Sequence, residues 1–405
     1  MNICVIGAGI AGITTAYYLT KSGHSVTIID SESGPAEQCS YANAGQISVS
    51  NSEVWTTWRN VFKGLQWLAK KDAPLLIRPS LDLDKAKWLW KFLYYTAKNS
   101  YERNTIETIK LGLESRQLYD EIVLEEQIEF DQLRAGILHL YRDADWFRPA
   151  LKTQQIYVWN GCDFEILSNP KEYRFFNQAK GRFEDILQTN PAVAEIKGVT
   201  GAAICQTDWT GDIHKFCKQL FNRLVSKYGV VYEFHRHIND IDVLEDFDRI
   251  VLANGAGVRH LSKLVGDSHP VYPVKGYSIT IPLDSAGMAN SPNISVLDQD
   301  KKIVCTKLGD RLRIAGTAEI TGDDYEIRED RIRPLVNWVN TNLPKVNTER
   351  YDSWACLRPM TPNMLPIISQ SKFNKKVFYN TGHGHLGWTL SAATAKKLTD
   401  KIDKS

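Results

Sequence analysis

The chain has 405 residues, 43% of them hydrophobic and 24% charged, with a formal net charge of +2. That length supports a large core and two domains, and so small a net charge excludes a global pull toward nucleic acid or an anionic surface. The 7 cysteines (Cys4, Cys39, Cys162, Cys205, Cys217, Cys305 and Cys356) are scattered and form no C-x-x-C pair, which argues against a disulfide framework or a structural zinc site and suits a reducing cytosol.

The N-terminus, MNICVIGAG, has no basic flank before its apolar run and does not read as a signal peptide. No apolar run approaches the length of a membrane span. Residues 3–6 (ICVI) predict a short strand buried in a parallel sheet. GAGIAG follows, with Gly7, Gly9 and Gly12 in a G-x-G-x-x-G spacing. ITTAYYLTKSG reads as a helix stopped by Gly23, and HSVTIID as a second strand ending at Asp30. A glycine pattern alone is weak, but here a strand precedes it, a helix follows it and an acid ends the next strand. Together these predict a dinucleotide site. Gly7 permits the tight turn, Gly9 the approach of backbone to a pyrophosphate, and Gly12 close packing of helix on strand. Asp30 is placed to bind ribose hydroxyls and disfavours a 2′-phosphate, as in NADP. The fingerprint does not separate FAD from NAD.

The next stretch, SESGPAEQCSYANAGQIS, is small and polar and lacks the periodicity of another βα unit. Ser40, Asn43, Ala44, Gly45 and Gln46 are candidates to line an extended cofactor, although composition alone reads as a surface loop. Residues 55–101 hold Trp55, Trp58, Trp67, Trp88 and Trp90. KAKWLWKFLYYTAK (85–98) mixes lysines with aromatics. It fits a helix lying on a membrane surface and equally a core-facing helix with a wet lysine face.

Helices are predicted over 103–128 and 143–159, with strands at 135–141 and 202–206. HKFCKQLFNRLVSKYG reads as a helix ending at Gly229, and VVYEFHRHI as a strand. In the latter His235 and His237 share a face, but no third ligand lies nearby in sequence and no metal site is expected. DRIVLANGAG (248–257) predicts a strand that brings Gly255 toward the dinucleotide. Residues 270–320 contain short alternating runs, YSITIPL, ISVLD, KIVCTKL and RLRIAGTAEI, that predict antiparallel strands. A parallel nucleotide-binding unit joined to an antiparallel region implies two domains.

Toward the C-terminus, LRPMTP places Arg358 before a proline, which biases it toward an extended segment. A guanidinium there can hold a carboxylate through two parallel hydrogen bonds, though on residues alone a structural ion pair fits as well. No Ser-His-Asp set or nucleophilic cysteine is evident from spacing.

GAGIAG, IID and CSYANAGQIS are followed in order by APLLIRP (73–79), TGD (210–212), YPVKGYSIT (272–280), AGTAEITG (315–322), LRPMTP (357–362) and NTGHGHLGWTLS (380–391). Over nearly its whole length the chain resembles the FAD-dependent D-amino-acid dehydrogenases, within the D-amino-acid oxidase and glycine oxidase superfamily. It departs from the pattern at Asn363-Met364, where Asp-Gly is usual, at His385, where a small residue is common, and over 168–200.

The residues and the resemblance together imply an α/β fold, α+β overall. A Rossmann-like FAD-binding domain is expected over 1–50, 208–262 and 352–405. A substrate domain with a mixed, largely antiparallel sheet and helices is expected over 51–207 and 263–351. The resemblance implies non-covalent FAD. It also implies oxidative deamination of a D-amino acid to a 2-oxo acid and ammonia, by hydride transfer from Cα to flavin N5. It assigns the substrate carboxylate to Arg358, a second contact to Tyr277 and a weaker one to Lys275, and brings the main chain near Ile238 to the adenine. Gly382, Gly384, His385, Leu386 and Gly387 would pass the isoalloxazine. The helix WTLSAATAKKLTDKI would aim its positive end at the N1–C2=O edge. His383 and His385 then read as ring neighbours or packing residues rather than metal ligands.

A quinone or other electron-transfer partner is implied, with 55–98 as a peripheral membrane contact, and a location in the cytoplasm or on the inner face of the cytoplasmic membrane. Two alternatives stay open: an oxidase of glycine, sarcosine or another amine that uses oxygen, and a non-catalytic flavin-binding subunit. The C-terminal glycine loop and the lack of repeated βα units count against a nicotinamide-dependent dehydrogenase.

Overall fold

The computed structural model describes residues 1–67, 73–78, 80–167, 174–177 and 182–405. Parts of the 55–98 segment (68–72 and 79, the last residue of APLLIRP) and of the poorly matching 168–200 stretch lie outside these residues.

The N-terminal run forms a strand, Asn2–Ile6, then a helix, Ile10–Lys21, then a strand, Ser25–Ile29. Ile3 to Ile6 are all buried, as in a sheet covered on both faces. This strand sits inside a six-stranded sheet in the order Val231–Glu233, Ser25–Ile29, Asn2–Ile6, Arg249–Leu252, Val377–Thr381, Ile367–Gln370. Every pairing is parallel except the last. On one face pack the helices Ile10–Lys21, Ile213–Tyr228 and Gly387–Ile402, through Ile13, Phe216, Leu220, Trp388 and Leu398. On the other, Cys4, Ile6, Leu252 and Tyr379 meet Val258 and Leu261 of a short helix, Val258–Leu264. The sequence ends of Ile213–Tyr228 explain its length. Asp212 accepts from the N–H groups of His214 and Lys215 at the start, and Gly229, at φ 68°, stops it in the left-handed conformation.

A second, nine-stranded sheet carries the other half of the molecule. Its path is Asp352–Met360, Tyr272–Pro282, Arg311–Ile320, Ile303–Leu308, Ser295–Asp298, Ile137–Tyr141, Gly201–Cys205 and Phe164–Leu167, with Leu75–Ile77 added beside Arg311–Ile320. Its pairings are antiparallel except Ser295–Asp298 with Ile137–Tyr141 and Leu75–Ile77 with Arg311–Ile320. The helix Glu329–Asn342 covers it with Ile332, Leu335, Trp338 and Val339. The expected helices at 103–128 and 143–159 run from Tyr101–Glu126 and Ala144–Trp159.

Asp352–Met360 pairs with Tyr272–Pro282, so Arg358 lies opposite Val274 in the large sheet, and the chain rejoins the six-stranded sheet at Ile367–Gln370. One sequence expectation changes. The strand after Gly229 stops at Glu233. His235 takes a left-handed φ of 55° and its N–H bonds to the Glu32 carbonyl at 3.0 Å, so His235 and His237 do not share a strand face. A short edge strand cannot hold the period that the residues suggested.

Candidate active site

A cavity of about 990 Å³ extends from Asp30 at one end to Arg358 and Trp55 at the other. Its first end is built by the glycine turn. Gly7 takes φ 111°, and a Cβ there would lie 2.7 Å from the Ala253 carbonyl oxygen. A Cβ on Gly12 would lie 1.7 Å from the Gly7 oxygen, so Gly12 lets the helix close onto the turn from behind the cavity. The Asp30 carboxylate accepts from Ala8 N at 2.5 Å and Glu32 N at 2.9 Å, which fixes it at the cavity's edge. The Ser40 hydroxyl accepts from Ile10 N at 3.0 Å, at the start of the first helix. Asn43 holds its own turn by accepting from Gly45 N at 2.8 Å. Gly45, at φ 71°, packs with no room for a Cβ against the Gly211 oxygen at 2.9 Å. Gln46 donates to Ser295 at 2.8 Å, tying the loop to the second sheet.

Gly7, Gly9, Asp30, Ser40, Asn43, Ala44, Gln46 and Gly255 line this part of the cavity. Ile238 does not; it packs beside the cluster of Cys4, Ile6 and Ile29.

Farther along, Gly384, His385 and Gly387 line the wall. Gly382 and Leu386 lie behind it and shape the turn, since a Cβ on Gly382 would meet Thr361 at 2.7 Å and Leu386 is buried. The helices Leu83–Ala97 and Ile213–Tyr228 start at capping aspartates, Asp82 and Asp212. The two helices that begin at the cavity, Ile10–Lys21 and Gly387–Ile402, have no side-chain cap. Apart from Ile10 N, which the Ser40 hydroxyl takes, their first N–H groups and their dipole ends are left for a ligand rich in negative charge. A Cβ built on Gly387 would touch nothing within 4 Å. An elongated cavity with an uncapped helix at a pyrophosphate position and another at a ring position suits FAD.

At the far end, Trp354, Cys356, Arg358 and Met360 alternate along one strand and all face the cavity. Arg358 donates to the Thr317 carbonyl at 3.2 Å and pairs with no carboxylate among the described residues. Burial pulls its pKa below the usual arginine value. Gly276, on the neighbouring strand, lies under the guanidinium: a Cβ there would be 2.1 Å from Nη2. Tyr277 also lines the cavity, but its hydroxyl donates to Glu319 Oε2 at 2.5 Å. Behind it, Glu319 faces Arg78 at 2.6 Å and Lys275 at 3.6 Å. Lys275 is fully buried, bound to Asp324 at 2.9 Å, and is not on the wall.

His383 bonds Thr394 at 2.9 Å and burial brings its pKa down to about 4. His385 stacks on Trp55 with ring centroids 4.8 Å apart, and burial brings its pKa down to about 3. Both rings are neutral. Elsewhere Cys162, Asp163 and Cys205 come together. Asp163 accepts there from Cys205 Sγ, from Thr207 Oγ1 and from the N–H groups of Gln206 and Thr207, so its oxygens are already engaged in organising a turn.

A family model described as FAD dependent oxidoreductase, DAO, matches residues 2–401. This chain belongs to that family. The oxidoreductase is 42% identical to D-amino acid dehydrogenase 3 of Mesorhizobium japonicum over 99% of this chain and 97% of the relative. It is 34% identical to D-amino acid dehydrogenase of Rhizobium rhizogenes over 99% and 96%. Among solved structures it shares its fold with glycine oxidase from Geobacillus kaustophilus, at TM-score 0.74 and 18% identity over 100% of this chain and 94% of the other. It also shares it with L-proline dehydrogenase from P. horikoshii, at TM-score 0.69 and 14% identity over 100% and 93%. FAD is therefore the cofactor of this oxidoreductase, as the sequence implied, and the mixed α/β fold is the one expected.

Sequence reasoning missed Gly276, Glu53 and Lys302, all on the cavity wall. Gly276 stands in the quoted KGYSIT motif, so a signal for it was present. Glu53 and Lys302 carried no motif, and only the folding of distant segments puts them in one cavity.

Proposed function

We propose that this oxidoreductase deaminates D-amino acids oxidatively to 2-oxo acids and ammonia. The observation that carries the reading is Arg358. It is a half-buried guanidinium on the wall of the cavity, without a carboxylate partner among the described residues, and a cation partly withdrawn from water is costly until an anion pairs with it. A substrate α-carboxylate supplies that anion, and a bidentate grip fixes orientation as well as position. Gly276 makes room for the guanidinium. FAD, when bound, would supply the acceptor for a hydride from Cα. The chain's own residues hold the carboxylate, exclude water with Trp55, Met360 and Trp354, and present the N-terminus of Gly387–Ile402 to the ring edge that gathers charge. The relatives named for D-amino acid dehydrogenation support the choice of D over L.

The electron acceptor we assign is a membrane quinone. Helices Trp58–Trp67 and Leu83–Ala97 line the cavity with Val61, Leu65, Leu89 and Phe92. The same helices expose Trp58, Phe62, Trp90 and Tyr94, with Phe62 60% and Trp90 66% exposed, and carry Lys87 and Lys91 beside them. Such a surface fits the headgroup region of a bilayer. Among the described residues no helix is long and apolar enough to cross one.

The test is anaerobic addition of D-alanine, L-alanine, D-proline and sarcosine to the purified yellow holoenzyme. Bleaching by the D-amino acids but not by L-alanine is expected, with recovery of colour faster on adding a short-chain quinone than on admitting oxygen. A flavin that none of them reduces would sink the reading. Bleaching by sarcosine alone would move the assignment to amine oxidation.

A further inference from the structure

The strand Arg311–Ile320 is interrupted beside Arg358. Its register with Tyr272–Pro282 steps from Gly316 opposite Tyr277 to Glu319 opposite Lys275. Thr317 and Ala318 thus stand against Gly276 alone, a β-bulge of two residues on one. On its other edge the same strand changes partner at this point. Ala315 pairs with Val304 of Ile303–Leu308, and Ala318 with Leu75 of Leu75–Ile77. Among the described residues neither ladder gives Thr317 a partner, so its own conformation sets the course of the chain there.

That conformation is unfavourable for the residue that adopts it. Thr317 takes φ 52°, in the left-handed region that glycine enters freely and a β-branched residue resists. Bulges with a left-handed residue ordinarily place glycine at that position. Thr317 is 6% exposed, and its hydroxyl has no hydrogen-bond partner among the described residues, so no side-chain bond offsets the strain. Strain held at a cavity wall points to a use there. What the turn supplies is a carbonyl. Thr317 lines the cavity, and its oxygen accepts from Nη1 of Arg358 at 3.2 Å. Gly276, the single residue facing the bulge, leaves the space in which Nη2 lies. Bulge and glycine together form a notch for the guanidinium.

A guanidinium on a long side chain can take many rotamers, but a bidentate grip that also aligns the substrate needs one orientation. We propose that Thr317 is a positioning residue for Arg358: its left-handed turn at the bulge aims the carbonyl that fixes the guanidinium for the substrate carboxylate. The buried side chain anchors the turn, where a glycine would leave the peptide free to swing. This rests on the deamination proposed above and adds a determinant of substrate binding to that same site.

The experiment measures kcat and KM for D-alanine, flavin content and the thermal midpoint in the native holoenzyme, in Thr317→Gly and in Thr317→Val. Thr317→Gly keeps the carbonyl and frees the backbone. Its KM should rise about tenfold, with kcat within about twofold of native, flavin content unchanged and the midpoint within a few degrees. Thr317→Val keeps the branched side chain and loses only the hydroxyl, and should return KM close to the native value. The effect passes through Arg358. In an Arg358→Gln background Thr317→Gly should therefore change kcat/KM by less than about twofold, because no guanidinium remains to be misplaced. A residue that only supported the fold would lower activity by the same factor in both backgrounds. A native KM in Thr317→Gly, a raised KM in Thr317→Val, an equal loss in the two backgrounds, or loss of flavin from Thr317→Gly would overturn the role while the deamination stands. If no D-amino acid reduces the native flavin, the deamination falls and the role with it.

Discussion

At the scale of single residues, Arg358 and Gly276 act as one device. The guanidinium occupies the space that any side chain at 276 would need, with Nη2 only 2.1 Å from a Cβ built there. Replacing Arg358 with Gln removes the charge and the bidentate geometry together. We expect kcat/KM to fall by about 10²- to 10⁴-fold, as when a charged, half-buried contact is lost, with flavin content unchanged. Steady-state kinetics beside the flavin absorbance of the purified variant measures both. Gly276→Ala keeps the charge but displaces it. Its expected signature is a raised KM for every amino acid and a thermal midpoint within a few degrees of the native one. A variant with native KM would show that the guanidinium does not need its observed position.

At the scale of elements, the cofactor site is made by chain ends. Two helices begin at the cavity without side-chain caps, and the strand Ser25–Ile29 delivers Asp30 to the first of them. Asp30 does more than wait for a ribose, because it accepts the Ala8 N–H at 2.5 Å and so braces the glycine turn. Asp30→Ala should therefore lower FAD retention, read as the ratio of flavin to protein absorbance after gel filtration, and added FAD should restore it only in part. Retention equal to the native enzyme would remove Asp30 from the site. The exposed helices allow a separate test. Replacing Phe62 and Trp90 together by Ser should reduce co-sedimentation with anionic vesicles and slow turnover with a long-chain quinone. Turnover with a water-soluble dye should persist. Equal sedimentation would free this face from any membrane role.

At the scale of the whole molecule, buried histidines tie stability to pH. His139 is fully buried, bonded to Ser50 at 2.8 Å and to Gln299 at 2.9 Å, and its pKa is brought down to about 3. His383 is brought down to about 4. Both are neutral in the fold but take up a proton near pH 6.5 in the unfolded chain. Below that pH the unfolded state binds more protons, so stability falls as pH drops toward 4. The slope is at most about 1.4 kcal/mol per pH unit for each group. Asp208, whose carboxyl is raised by burial, works in the opposite sense and offsets part of the loss at the acid end. The thermal midpoint should drop by several degrees between pH 7 and pH 5, and His139→Gln should flatten that dependence. A midpoint constant over this range would contradict neutral burial of these rings.

The parts of this protein that the sequence alone determined are those whose physics is local. The turn at Gly7, the stop at Gly229 and the strand running into Asp30 depend on backbone conformations and periodicities that a few neighbouring residues set. They were legible, and with them the nucleotide-binding half, while FAD rather than NAD came from the resemblance carried by the longer motifs. The same local logic misled at His235, because whether an edge strand continues depends on the partner it pairs with. Tertiary structure alone decided that Asp352–Met360 joins the large sheet, that Tyr277 spends its hydroxyl on Glu319 and that Lys275 lies behind the wall in an ion cluster. It also brought Glu53, Lys302 and Arg358 to one cavity. The pairing of strands and the burial of charge are set by segments tens to hundreds of residues apart, and no short window of sequence contains both partners.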